Sequence, residues 1–132
     1  MCPHHLLPAS GVVHVGYLPE ERVVGLGSLA RLVECYARRL ILQEDLGQRI
    51  ADALVEHLGA RGAGVIVDLA PSCMTARGVR QAGARAVTWA FAGSMTTDTS
   101  ARSELTASVS LASSGGARTA SGGSHGAVSE PT

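Results

Sequence analysis

The chain has no lysine. Its 11 basic residues are all arginine, and they balance 11 acidic residues. At zero net charge, no global field draws nucleic acid or an anionic membrane surface to it, so neither is expected as a partner. Aromatic residues make up only 3% of the chain, so a core has to be built from Val, Leu, Ile and Ala. No apolar run approaches the ~18 residues of a membrane-spanning helix, and the N-terminus does not read as a signal peptide. Three cysteines form an odd set. That argues against a disulfide framework and points to a reducing, cytoplasmic setting.

What is present is enough for one domain: 132 residues, 45% of them hydrophobic. Composition divides the chain into a working domain over residues 1–110 and a Gly/Ser/Ala-rich tail over 111–132. Such a tail buries too little surface to offset the entropy of ordering it, so disorder is expected there. Within the domain, Gly11 to Leu18 alternates with Val13, Val15 and Tyr17 on one face, which predicts a strand. Ser28 is placed to cap a helix carrying Leu29, Leu32, Val33 and Tyr36 at helical period. Cys35, beside that stripe, reads as a small buried hydrophobe. A second helix is predicted from Gln43 to Leu58, with Gly59 as its stop. Strands follow over Ala63–Leu69 and Arg85–Ala92, and a terminal helix over Thr99–Val109. The fold class this implies is α+β, an antiparallel sheet backed by two helices.

Cys2-Pro3-His4-His5 is the sharpest local feature. Thiolate and imidazole are preferred zinc ligands, and Cys-x-x-His lets one turn present both to a single ion. Cys73, in Pro71-Ser72-Cys73-Met74, is a candidate third ligand. Three protein ligands with one open position is the catalytic zinc pattern. The other reading of these residues is a chance His pair near the terminus and an unrelated loop cysteine. Gln43-Glu44-Asp45 opens the second helix, where acidic residues favour the dipole. A carboxylate there can also accept hydrogen bonds from a ligand amidine. Arg77-Gly78 suits a phosphate fork, although isolated arginines are more often surface residues.

Together these stretches resemble GTP cyclohydrolase I. The matching pieces are Cys2-Pro3-His4-His5-Leu6-Leu7-Pro8, Val15-Gly16-Tyr17-Leu18-Pro19 and Gly25-Leu26 before Leu29-Ala30-Arg31. Arg38-Arg39-Leu40, Gln43-Glu44, Cys73-Met74, Arg77-Gly78-Val79-Arg80 and Arg102-Ser103-Glu104-Leu105 follow in order. The resemblance implies a tunnelling fold that forms rings, pentamers usually stacked into decamers. It implies a Zn2+ ion held by Cys2, His5 and Cys73, with His4 moving protons. It also implies that Glu44 and, beside it, Gln43 bind substrate, the Glu44 carboxylate anchoring guanine, with Arg31 and Arg77 on phosphate. The activity implied is hydrolytic opening of the imidazole ring of GTP, giving formate and 7,8-dihydroneopterin triphosphate. Against the family pattern, the N-terminal helical region and most of the first strand are missing. Pro3 replaces a glutamate, Gly27-Ser28 replaces a Ser-Lys pair, and Pro71 replaces a histidine. These departures leave open a catalytically impaired binding or regulatory subunit, or an enzyme for a less phosphorylated purine or pterin.

Overall fold

Alternation in the first apolar segment becomes β1 (Ala9–Leu18), whose Val13, Val15 and Tyr17 are buried on one face. The computed structural model describes residues 1–77, 80–114 and 127–131, the last of these by backbone alone. After β1 come α1 (Leu26–Ala37), α2 (Gln43–Leu58), β2 (Gly62–Pro71) and the one-turn α3 (Ser72–Thr75). β3 (Ala86–Gly93), a 3-10 turn at Ser94–Thr96, α4 (Thr99–Ser114) and β4 (Ala127–Pro131) complete the order. The strands form an antiparallel sheet in the order β3-β2-β1-β4. The α+β class expected from the periodicities is the one found.

Two clusters hold the sheet from opposite sides. On one face Val13, Val15, Val65, Val67 and Leu69 meet Leu29 and Val33 of α1 and Leu46, Ile50 and Leu54 of α2. On the other face α4 sets Leu105 against Leu18, Ile66 and Met95. Strand glycines allow that approach: a Cβ at Gly16 or Gly64 would lie 2.7 Å from a Leu105 methyl. β3 turns its small residues, Ala90 and Ala92, inward, because α2 comes close enough that a Cβ on Gly47 would sit 3.2 Å from Ala90 Cβ. Its large residues face outward, where Val87 and Trp89 are exposed.

Several sequence readings change in detail. Ser28 does not cap α1; Gly25 is the N-cap residue and no side chain caps the turn. Cys35 is exposed rather than buried, since α1 buries only Leu29 and Val33. α2 begins at Gln43 and stops at Gly59 as read, the glycine taking φ 74° in the left-handed region. The terminal helix runs five residues past Val109, so Leu111 to Ser114 of the segment read as tail are helical. Ala127–Pro131 of that segment pair with β1, and the rest of it lies outside the described residues. Among the described residues, no helix is long and apolar enough to cross a membrane.

Candidate functional site

The site forms where the start of β1 meets the end of β2. Ala9 pairs with Pro71 and Ser10 with Ala70. Beyond the strand, the Ser72 amide donates to the Pro8 carbonyl at 3.1 Å, which seats α3 and Cys73 beside the turn that precedes β1. That turn is closed by Cys2 N–H to Leu7 O at 3.0 Å. Its Leu6 has φ 53° and is exposed. A bulky residue in the left-handed region costs about 1–2 kcal/mol. Exposed, Leu6 gains no burial to offset that strain, and backbone strain of this kind concentrates at functional turns. On its other side, the turn is tied to the α1–α2 connection by Ile41 N–H to Met1 O at 3.2 Å.

A cleft of about 490 Å³ opens between this turn, α1 and α2. Val33, Leu46 and Leu69 contribute apolar walls. Cys2, Pro71 and Gln43 also line it, as do Glu34 and Arg38, which form an ion pair. An apolar cavity with a few polar groups is the usual form of a small-molecule site. Glu34 was not among the residues that the sequence singled out, although its i,i+4 spacing to Arg38 was visible there.

The residues singled out from sequence are distributed unevenly around this cleft. Cys2 and Cys73 are half-buried and free of disulfides. His4 and His5 are exposed, their rings 6.4 Å apart and edge-on. Among the described residues, no three His, Cys, Asp or Glu side chains gather closely enough to hold an ion. The backbone thus brings the two cysteine-bearing segments together, while the three side chains do not converge. Thiolate, imidazole and thiolate are still the right chemistry for zinc.

Glu44 is exposed on the first turn of α2 and Arg31 on the second turn of α1, and Arg77 is exposed after α3. Arg31 leans back toward Gly27, where a Cβ would stand 3.9 Å from Nη2. None of these three lines the cleft. Gln43 is half-buried, and its amide donates to Val67 O at 2.9 Å and Ala86 O at 2.7 Å. Pro71 N-caps α3 in extended geometry, and Thr75 Oγ1 donates to its carbonyl. Away from the cleft, His14 on β1 is held below the ordinary imidazole range by burial, partly offset by the Asp68 carboxylate. Arg85 engages that carboxylate at 2.7 Å.

Comparison with known proteins follows the same stretch of chain. A family model described as GTP cyclohydrolase I matches residues 1–110. GTP cyclohydrolase 1 of Campylobacter lari is 47% identical over 105 residues, covering 80% of this chain and 55% of that protein. GTP cyclohydrolase 1 of Bifidobacterium longum is 55% identical over 94 residues, covering 70% and 47%. GTP cyclohydrolase 1 of Clostridium perfringens is 45% identical over 111 residues, covering 84% and 60%. The chain spans about half the length of the curated relatives it matches.

Proposed function

This chain belongs to the GTP cyclohydrolase I family, and from that premise we propose that it is a zinc-dependent hydrolase that opens the imidazole ring of GTP. The products are formate and 7,8-dihydroneopterin triphosphate, and the setting is pterin and folate synthesis in the cytoplasm. The observation that carries the reading is the family match across residues 1–110, which contains every residue assigned a role below.

Cys2, His5 and Cys73 would hold the zinc ion. Bound there, it supplies Lewis acidity that activates water at neutral pH. His4, next to a ligand and exposed to solvent, exchanges protons with the opening ring. Glu44 accepts two parallel hydrogen bonds from the N1–H and N2–H edge of guanine. Adenine lacks that donor pair, so it would leave the carboxylate unpaired. Arg31 and Arg77 meet the phosphates through charge-assisted hydrogen bonds. A second copy of this chain is the protein partner, in rings of five that stack to ten. The exposed outer face at Val87 and Trp89 supports self-association, because large apolar side chains grouped on one sheet face seek cover.

Pro71 and Ser28 favour a second reading, a family member with impaired turnover that binds or regulates. Proline has no titratable group and no N–H, so it can neither donate a proton nor steady His4. General acid–base help is worth ~10²–10⁴-fold in rate. The experiment is to incubate zinc-loaded protein with GTP and follow pterin fluorescence in wild type and Pro71→His. Product from both, with more from the variant, supports a weakened enzyme. No product from either, with zinc and GTP bound, supports the second reading.

A further inference from the structure

We propose that Gln43 is a positioning residue, whose side-chain amide fixes the first turn of α2 and sets the Glu44 carboxylate relative to the strand that delivers Cys73. This rests on the reading of Glu44 as the purine anchor.

The amide nitrogen of Gln43 donates to Val67 O on β2 at 2.9 Å and to Ala86 O on β3 at 2.7 Å. Both partners are carbonyls, so the amide orientation follows from the network. Both amide hydrogens are spent on the sheet, and only Oε1 remains to face a ligand. The family resemblance assigned Gln43 to substrate contact; the geometry gives its donors a different task. These bonds lie where the strands part. The β2–β3 register ends at Leu69 opposite Ala86. The neighbouring Asp68 carbonyl is likewise held by a side chain, Arg85 Nη2 at 3.2 Å. One side chain thus joins α2, β2 and β3, and the chain passes from the end of β2 at Pro71 into α3, which carries Cys73.

A second observation indicates why α2 needs this tether. Its N-cap residue is Leu42, and no side chain caps the turn. An uncapped first turn is free to fray. Glu44 follows Gln43 directly and is exposed, so packing does not hold its carboxylate. The anchor's place is then inherited from the backbone of the residue before it. Because misplacement by about 1 Å can cost ~10²-fold, a loose first turn would blunt purine discrimination before it unfolded anything.

The test uses the full chain with Gln43→Met, which keeps length and loses both donors, and Gln43→Glu, which sets a carboxylate against the two carbonyls. Amide exchange is read at Leu46, whose N–H makes a helical bond to Leu42 O at 2.9 Å. GTP and ATP affinities are read by calorimetry. The expected result is faster exchange at Leu46 in both variants and a GTP-over-ATP preference reduced about tenfold, with ATP affinity unchanged. A merely structural residue would weaken both nucleotides together. Should Gln43→Met fail to fold, Gln43→Asn carries the same expectation, since its amide stops one methylene short. Unchanged exchange at Leu46 overturns the proposal, and so does a GTP preference that survives faster exchange. A wild-type chain with no preference for GTP overturns the Glu44 reading itself, and this proposal falls with it.

Discussion

At position 28 a serine, exposed on α1, stands where the family pattern has a lysine. Arg31 lies one turn further on and leans toward Gly27; on the proposed reading Arg31 and Arg77 are the phosphate cations left without that lysine. Each charge-assisted hydrogen bond is worth about 1.5–3 kcal/mol. Ser28→Lys is therefore expected to tighten GTP binding about ten- to hundredfold, more so at low salt. Titration calorimetry at two ionic strengths checks this, and an unchanged affinity would mean that the true ligand carries no triphosphate. Much at this scale could be read from sequence. Gly59 was recognisable as a helix stop because only glycine takes its φ of 74° without strain. The tether made by Gln43 was not, since it depends on which strand carbonyls lose their partners where β2 and β3 part. Cys35 was misread because position on a helical wheel does not say how wide a stripe the neighbours cover.

The elements themselves followed from hydrophobic period. α2 was legible to both ends because its stripe and its glycine agree. The one-turn α3 was not, since four residues carry no period. Yet α3 and the turn before β1 set the site, and both depend on close pairing of β1 with β2. Gly11 sits at that pairing. A Cβ there would lie 2.1 Å from Asp68 O and 2.8 Å from Leu69 Cα, both backbone atoms that cannot step aside. Gly11→Ala is therefore expected to destabilise the chain by at least about 1–3 kcal/mol and to part the strands next to Cys2 and Cys73. Urea unfolding gives the stability loss, and a midpoint equal to wild type would show that the strands tolerate the added methyl group. His14 adds a pH dependence to the same strand. Desolvation lowers its pKa and outweighs the attraction of Asp68. The folded chain thus binds the proton less tightly than the unfolded chain does. Stability is full above about pH 6.5, the unfolded value, and is lost as pH falls through it toward the lowered folded value. In His14→Gln this part of the urea-midpoint profile should flatten. An unaltered slope would place the dependence elsewhere.

For the whole molecule, an antiparallel sheet backed by two helices was legible as a class, and that half of the fold was legible in detail. The outer layer was harder to foresee, because α4 has a weak apolar stripe with Leu105 as its buried residue and relies on strand glycines for contact. Function was legible at the level of family, through short motifs in collinear order from Cys2 to Leu105, within the residues 1–110 that the family model matches. Among the described residues Cys2, His5 and Cys73 do not gather around one point, and their spacing in the sequence does not determine whether they would hold one ion. The central claim is that these three residues make the chain a zinc-dependent hydrolase of the guanine ring. The most direct measurement is release of formate from GTP by the zinc-loaded full chain, alongside the chelator-treated chain and Cys73→Ala. The account expects one formate per GTP consumed from the zinc-loaded wild type, abolished by chelation and by the substitution. Formate release that persists without zinc would contradict it, as would none from wild-type protein with zinc and GTP both bound.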